Sequence, residues 1–196
     1  MKKIAITGGI GSGKSLVGKY ISQLGYDVFS CDSIYLEISK TTSYITQLEK
    51  MFPEAVVQGE IDRKVLSQTV FNSPEKRAQL NKLSHPLIMQ TLAKRMEESK
   101  NEFVFAEVPL LFEGNYQNEF DYVLVVLRSL DARVTSLMSR DTTTKEECLK
   151  RIQAQFDYNK AKLENSFPKH CIFIENNSDI ENLQKNIIIA LKNIIP

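Results

Sequence analysis

The chain has 196 residues, 42% of them hydrophobic, with 25 Lys and Arg against 24 Asp and Glu for a net charge of +1. That length and apolar share suit one compact domain with room for an insertion, and the charge balance excludes a global basic field for nucleic acid or an anionic membrane. Cys31, Cys148 and Cys171 are far apart and fit no metal-ligand spacing, the N-terminus lacks a signal-peptide layout and no apolar run reaches a membrane span, so a cytoplasmic protein is expected.

Ile4-Ala5-Ile6-Thr7 reads as a short buried strand. Gly8-Gly9-Ile10-Gly11-Ser12-Gly13-Lys14-Ser15 then fits the phosphate-cradling pattern G-x-x-x-x-G-K-[ST] at every fixed position. Glycines let successive amides turn onto phosphate oxygens, Lys14 adds a point charge, and Ser15 offers a hydroxyl to Mg²⁺. Val17, Tyr20, Ile21 and Leu24 follow at helical spacing, so the helix dipole also favours an anion at the loop. Gly25 is placed to cap that helix.

Tyr26 to Ser30 reads as a second strand ending at Cys31-Asp32. Asp32 fits two roles there: a carboxylate facing the phosphates from a strand's carboxyl end, or a cap, with Ser33, for a helix over Ile34 to Ser39. Residues from about 41 to 99 show no convincing strand and read as a helical insertion, with Tyr44, Leu48, Met51 and Phe52 on one face. Ser73-Pro74-Glu75 is a helix start. His85-Pro86 interrupts the next apolar stripe, so a break between helices is expected there, with His85 either a structural hydrogen-bonding group or a ligand contact in a cleft.

Phe103 to Val108 is a near-continuous apolar run closing on an acid, as a buried parallel strand would be, and Glu107 becomes a candidate partner of Mg²⁺, directly or through water, or an orienter of the loop. Tyr122 to Leu127 and Cys171 to Ile174 are two further buried strands. Five strands interleaved with helices predict an α/β, doubly wound, mainly parallel sheet. Between the last two strands lie Arg128, Arg133, Arg140, Lys145, Lys150 and Arg151, with Leu149, Ile152 and Phe156 on a helical face and a capping box from Thr144 to Glu147. Such residues would serve a lid that neutralises a phosphoryl group in flight, although most are expected to be solvated helix faces. Ser178-Asp179-Ile180-Glu181 reads as a second capping box before a terminal helix with Leu183, Ile187 and Leu191.

The loop alone leaves regulatory GTPases, nucleotide-binding modules and small-molecule kinases open. A guanine-specific N/T-K-x-D element is missing, since Asn81-Lys82-Leu83-Ser84 and Thr144-Lys145-Glu146-Glu147 both lack its Asp. Several separated stretches resemble the dephospho-CoA kinase family: Thr7 to Ser15; Cys31-Asp32-Ser33-Ile34; Gly59, Arg63, Leu66 and Phe71; His85-Pro86-Leu87-Ile88; Val108-Pro109-Leu110-Leu111-Phe112-Glu113; Arg140-Asp141 with Arg151-Ile152 and Gln155; and Asn176-Asn177. Two positions depart from the family pattern. Ser30 stands where the first acid of an Asp-Ala-Asp turn is common, and Leu16 where Thr often follows the loop Ser.

The resemblance implies transfer of the γ-phosphoryl of ATP, as its Mg²⁺ complex, to the ribose 3′-hydroxyl of dephospho-CoA. It implies Asp32 as base, Lys14 on the phosphates and Arg140 in the lid. Gly9, Ile10, Gly11, Ser12, Gly13, Lys14, Ser15, Leu16 and Asn176 would hold ATP. Asp32, Arg63, His85 and Glu113 would hold the acceptor, and Ser15 with Glu107 the metal. The expected division is a core of about 1–34, 101–128 and 168–196, an acceptor-binding helical insert of about 35–100, and a lid of about 129–167. ATP and dephospho-CoA are the expected partners, with no nucleic acid or membrane, and a monomer is expected.

Overall fold

The computed structural model describes residues 1–71 and 73–195. They divide into two compact units, the first made of residues 1–29 and 99–196 and the second of residues 30–98.

In the first unit, β1 (Lys2–Thr7) leads through the glycine loop into α1 (Lys14–Gln23) and then β2 (Val28–Ser30), whose last residue begins the second unit. The chain returns with β5 (Phe103–Glu107) and β6 (Tyr122–Leu127), followed by α6 (Leu130–Asp141), α7 (Lys145–Gln153), α8 (Tyr158–Leu163), β7 (Cys171–Glu175) and α9 (Ile180–Lys192). The sheet order is β2-β5-β1-β6-β7, so β1 is central, and it pairs in parallel with β5 on one side and β6 on the other. β6 also pairs in parallel with β7. This is the expected α/β doubly wound fold.

The apolar runs of β1, β5 and β6 are buried on both faces because helices cover them, whereas β7, expected to be a buried strand, lies at the sheet edge and is only partly buried apart from Ile174. Ile4, Ile6, Phe105, Leu124, Val126 and Ile174 pack with Val17 and Ile21 of α1 and Leu183, Ile187 and Leu191 of α9. Parallel pairing aligns the carboxyl ends of the strands, the edge where open α/β sheets bind ligands. The register sets Glu107, the last residue of β5, beside Ile6.

The second unit holds α2 (Cys31–Ile38), α3 (Thr42–Met51), a short antiparallel ladder of β3 (Val56–Val57) and β4 (Glu60–Ile61), α4 (Arg63–Phe71) and α5 (Pro74–Glu97). Its core gathers Tyr44, Leu48, Phe52, Ala55 and Leu66, flanked by Leu80, Leu83 and Leu87 of α5. Met51, expected on the same face, is exposed.

Several expectations are corrected. The strandless reading of 41–99 missed the β3-β4 ladder, whose turn is made by Gln58 and Gly59, both at positive φ (54° and 78°), as a two-residue hairpin turn requires. The break at His85-Pro86 does not exist: α5 runs through Pro86 without interruption. Proline deprives a helix of one hydrogen bond, about 3 kcal/mol in an isolated helix. Here Leu80 and Leu83 pack into the core before the proline and Leu87 after it, Met89, Leu92 and Met96 are buried further along, and Ser84 shares a 2.7 Å hydrogen bond with Tyr44, so tertiary packing holds both halves in line. The terminal helix is capped by Asp179, which accepts from Asn182, and not by Ser178. α7 ends at Gln153, leaving Phe156 beyond its face. Gly25 at φ 95°, the Ser73 cap with Pro74 in the first turn, and the reciprocal Thr144–Glu147 capping box stand as read.

Candidate active site

The loop leaves the central strand at Thr7 and enters α1 at Lys14, with Gly13 as the N-cap residue. Gly11 and Gly13 adopt φ values of 77° and 97°, a left-handed region that favours glycine. Three side chains from distant parts of the first unit grip three consecutive carbonyls of this turn. Arg133 Nε donates to Ile10 O at 2.8 Å, Arg128 Nη1 to Gly11 O at 3.3 Å, and Asn176 Nδ2 to Ser12 O at 2.8 Å. In a trans peptide the C=O and the following N–H point in opposite directions. Fixing these carbonyls therefore also fixes the planes that carry the amides of Gly11, Ser12 and Gly13, of which Ser12 N closes the turn on Gly9 O at 3.1 Å. The first turn of α1 carries no acidic side chain, so its orphan amides and dipole remain suited to an anion.

Gly13 also leaves room for a neighbour: a Cβ there would overlap Asn176 Nδ2. Asn176 is buried immediately after β7, and its contact with the loop explains why a polar residue follows that strand. Lys14 Nζ donates to Gly8 O at 2.8 Å and to Gly9 O at 3.2 Å, a fold-back that keeps the ammonium at the loop. Ser15 Oγ donates to Glu107 Oε2 at 2.8 Å, and Gly18, one turn further along α1, lacks the Cβ that would overlap Glu107 Oε1. A hydroxyl and a carboxylate form an all-oxygen pair suited to a hard cation such as Mg²⁺, which characteristically takes few protein ligands and completes its shell with phosphate and water. Among the described residues no group of three or more His, Cys, Asp or Glu side chains forms a metal cluster. Leu16, in the position where Thr is common, is exposed.

The segment after α7 meets the loop directly. Gln155 Oε1 accepts from Ile10 N at 2.6 Å, and the hydroxyls of Tyr158 and Thr7 share a hydrogen bond of 3.1 Å. Burial pushes the Tyr158 hydroxyl above the usual phenol range. Ile10 packs against Val134, Leu137 and Cys148, a small core shared by α6 and α7. Glu113 Oε1 accepts from Phe156 N at 3.0 Å, and Phe112, Phe156, Tyr158 and Phe167 form a ring cluster with centroid spacings of 5.0 to 6.4 Å. The Pro109 to Glu113 stretch and the segment after α7 are thereby joined.

Arg140, at the end of α6, is exposed and forms two hydrogen bonds, 2.6 and 2.9 Å, with the adjacent Asp141, to which Arg151 Nη1 also donates at 2.5 Å. Those two guanidinium groups, Arg140 foremost, hold the Asp141 carboxyl well below the usual range. Asp32, Arg63 and His85 belong to the second unit. Asp32 is exposed in the first turn of α2, and the cap of that helix is Ser30, whose hydroxyl accepts from Ser33 N at 3.4 Å. The capping alternative for Asp32 and Ser33 is thus corrected; Ser30, at the site of the family's usual first acid, performs that task. Arg63 is the exposed first residue of α4, and His85 is half-buried in the middle of α5. The contacts that sequence reading missed are those of Arg128, Arg133, Gln155 and Tyr158. An arginine directly after a buried strand was the available signal for Arg128; Tyr158 had none.

The dephospho-CoA kinase family model matches residues 2–182. The chain belongs to the dephospho-CoA kinase family. It is 33% identical over 186 residues to the dephospho-CoA kinase of Fusobacterium nucleatum, covering 94% of each chain, and 32% identical over 188 residues to that of Thermus thermophilus, covering 96% of this chain and 89% of the relative. Among solved structures, the crystal structure of TT1252 from Thermus thermophilus superposes with a TM-score of 0.86 at 31% identity, covering 100% of this chain and 98% of the other. A shikimate kinase from Acinetobacter baumannii shares the fold alone, with a TM-score of 0.58 at 13% identity over 100% of this chain and 96% of its own.

Proposed function

We propose that the chain transfers the γ-phosphoryl group of ATP to the ribose 3′-hydroxyl of dephospho-CoA, giving coenzyme A and ADP. Family membership over residues 2–182, joined to a phosphate loop whose carbonyls at Ile10, Gly11 and Ser12 are all held by side chains, is the observation that carries this reading.

In the proposed mechanism the loop of Gly9 to Leu16, through amides other than the committed N–H groups of Ile10, Ser12 and Leu16, and the Lys14 ammonium bind the β- and γ-phosphates, supported by Lys14 Nζ poised at the Gly8 and Gly9 carbonyls. Mg²⁺ bound with the nucleotide supplies charge neutralisation, and Ser15 with Glu107 would hold it. Asp32, an exposed carboxylate in the first turn of α2, orients the acceptor hydroxyl and accepts its proton. Arg140 meets transition-state charge after exchanging its Asp141 partner for a phosphoryl oxygen, while Arg151 keeps Asp141 neutralised. Arg63, His85 and Glu113 contact the acceptor, the insert of about 35–100 receives its pantetheine arm, and the segment of about 129–167 acts as lid. Asn176 shapes the nucleotide side of the loop. The reading extends to a cytoplasmic monomer with no nucleic-acid or membrane partner. The net charge of +1 supports the part of this reading that concerns nucleic acid and anionic membranes, and among the described residues no helix is long and apolar enough to cross a membrane.

The test is incubation of the purified chain with ATP·Mg²⁺ and a panel of dephospho-CoA, nucleosides, nucleoside monophosphates and shikimate, with products identified by mass. The expected outcome is a single phosphorylated product, coenzyme A. Phosphorylation of another panel member with dephospho-CoA untouched would overturn the proposal.

A further inference from the structure

Arg133 is more deeply buried than any other arginine or lysine of the chain described here, with 7% of its surface exposed, and it lies against the phosphate loop. Its Nε is committed to Ile10 O at 2.8 Å. The rest of the guanidinium occupies the place where a side chain at Gly9 would begin: a Cβ there would overlap Nη2 and stand 2.6 Å from Cζ and 3.1 Å from Nη1. Nη2 itself is buried and has no hydrogen-bond partner among the described residues. The groups whose charge acts on the guanidinium are Asp157 and Tyr158, yet burial dominates and pulls its pKa below the ordinary arginine range. Among the described residues no carboxylate lies within ion-pair distance of it.

A buried cation with no carboxylate at ion-pair distance is costly, and an anion would complete it. The second cation of the loop is close by, because Lys14 Nζ rests on the carbonyl of the same residue, Gly9, at 3.2 Å. Two positive groups thus bracket Gly9, one at its carbonyl and one over its α-carbon, on the loop assigned to phosphate. A guanidinium fork can serve both partners, with Nε on the backbone and Nη2 on an incoming oxygen, which an ammonium cannot do.

We propose that Arg133 is a second phosphate-binding cation of the loop, with Nη2 donating to the terminal phosphoryl group of ATP while Nε keeps Ile10 in place. Because Arg133 belongs to α6, the contact ties the start of the lid segment to the presence of a third phosphate. Arg133 therefore separates ATP from ADP before any transfer occurs. The inference rests on the reading of Gly8 to Ser15 as the ATP site.

Calorimetric titration of ATP·Mg²⁺ and ADP·Mg²⁺ into the wild type and Arg133→Gln, with the melting temperature of each ligand-free protein, tests it. Gln can still donate to Ile10 O but carries no charge. The expected result is an ATP affinity roughly 10- to 100-fold weaker, from loss of one charge-assisted hydrogen bond, against a change of about threefold or less for ADP. The ligand-free melting temperature should be unchanged or higher, since a buried unpaired charge has gone. Equal losses for ATP and ADP with a lower melting temperature would make Arg133 a prop for Ile10 and overturn the proposal, as would affinities within about twofold of wild type. Arg133→Lys, which keeps the charge and loses the fork, should recover part of the ATP–ADP difference; recovery of none of it in a folded protein would also count against the proposal. A wild type that binds neither nucleotide would instead refute the loop assignment on which the inference rests.

Discussion

Gly18→Ala separates the integrity of the fold from the integrity of the site. Gly18 is buried in α1, where alanine is ordinarily the better helix residue by about 0.5–1 kcal/mol. Its new Cβ would overlap Glu107 Oε1 and stand 3.1 Å from Cδ and 3.3 Å from Cγ, against 3.4–4 Å for ordinary contact. The obstruction is the far end of a flexible side chain, so the carboxylate can swing aside and the backbone need not. Stability should then stay within about 1 kcal/mol of wild type, the helix gain offsetting the lost contact. The site does not escape, because the displaced carboxylate is the one that accepts from Ser15 Oγ at 2.8 Å. Loss of a hydrogen bond to a charged group is worth about 1.5–3 kcal/mol, which corresponds to roughly 10- to 100-fold in kcat/KM if it is made in the transition state. Coupled ADP release with ATP·Mg²⁺ and dephospho-CoA, beside calorimetric melting, measures both quantities. A folded variant with kcat/KM for ATP within twofold of wild type would refute a functional Ser15–Glu107 pair. A stability loss beyond about 3 kcal/mol would show that the backbone had moved instead.

Asp32→Asn preserves shape and removes the proposed base, so kcat at saturating substrates should fall by about 10²- to 10⁴-fold with the melting temperature unchanged; an unaltered kcat would return Asp32 to a surface role on α2. Asp141→Asn should lower stability at pH 7 by about 1 kcal/mol or less, because the pairs it makes with Arg140 and Arg151 are largely exposed. The folded pKa of Asp141 is depressed, so the stabilisation is present above the unfolded value, near 4, and is lost as pH falls below it toward the folded value. The difference between the thermal melts of the two proteins should accordingly shrink steadily as pH falls from about 4 toward the folded value, and a difference that grew over that range would contradict the assignment. Tyr44→Phe leaves the buried Ser84 hydroxyl without its 2.7 Å partner and should cost about 1–2 kcal/mol, read as a drop of roughly 2–8 °C in melting temperature.

What could be read from the sequence was whatever local chemistry decides. Continuous apolar runs gave β1, β5, β6 and β7, the glycine pattern gave the loop, and Ser73-Pro74 and Thr144 to Glu147 announced their helix starts because a cap acts within one turn. Pro86 was misread because its penalty is local while the packing of α5 that outweighs it is not. The β3-β4 ladder is too short to carry an alternating pattern, and Gln58-Gly59 is a weaker hairpin signal than Asn-Gly. The site divided in the same way. Lys14, Ser15 and Glu107 were legible from motif and strand position. The contacts of Arg128 and Arg133, however, depend on where β6 delivers the following chain, and an arginine that grips a carbonyl has the same composition as one in solvent.

The grip on the loop also bears on the order in which the molecule is made. The residues that shape Gly8 to Gly13 are synthesised long after it: Arg128 and Arg133 follow β6, Gln155 follows α7, and Asn176 follows β7. A nascent chain carrying only the first strand, loop and helix would possess the motif without the restraints on its carbonyls. Closing such long sequence separations is slow compared with forming α1. Competence to hold a triphosphate thus arrives at the end of folding, and in a refolding experiment capture of a fluorescent ATP analogue should lag helix formation and coincide with docking of β7.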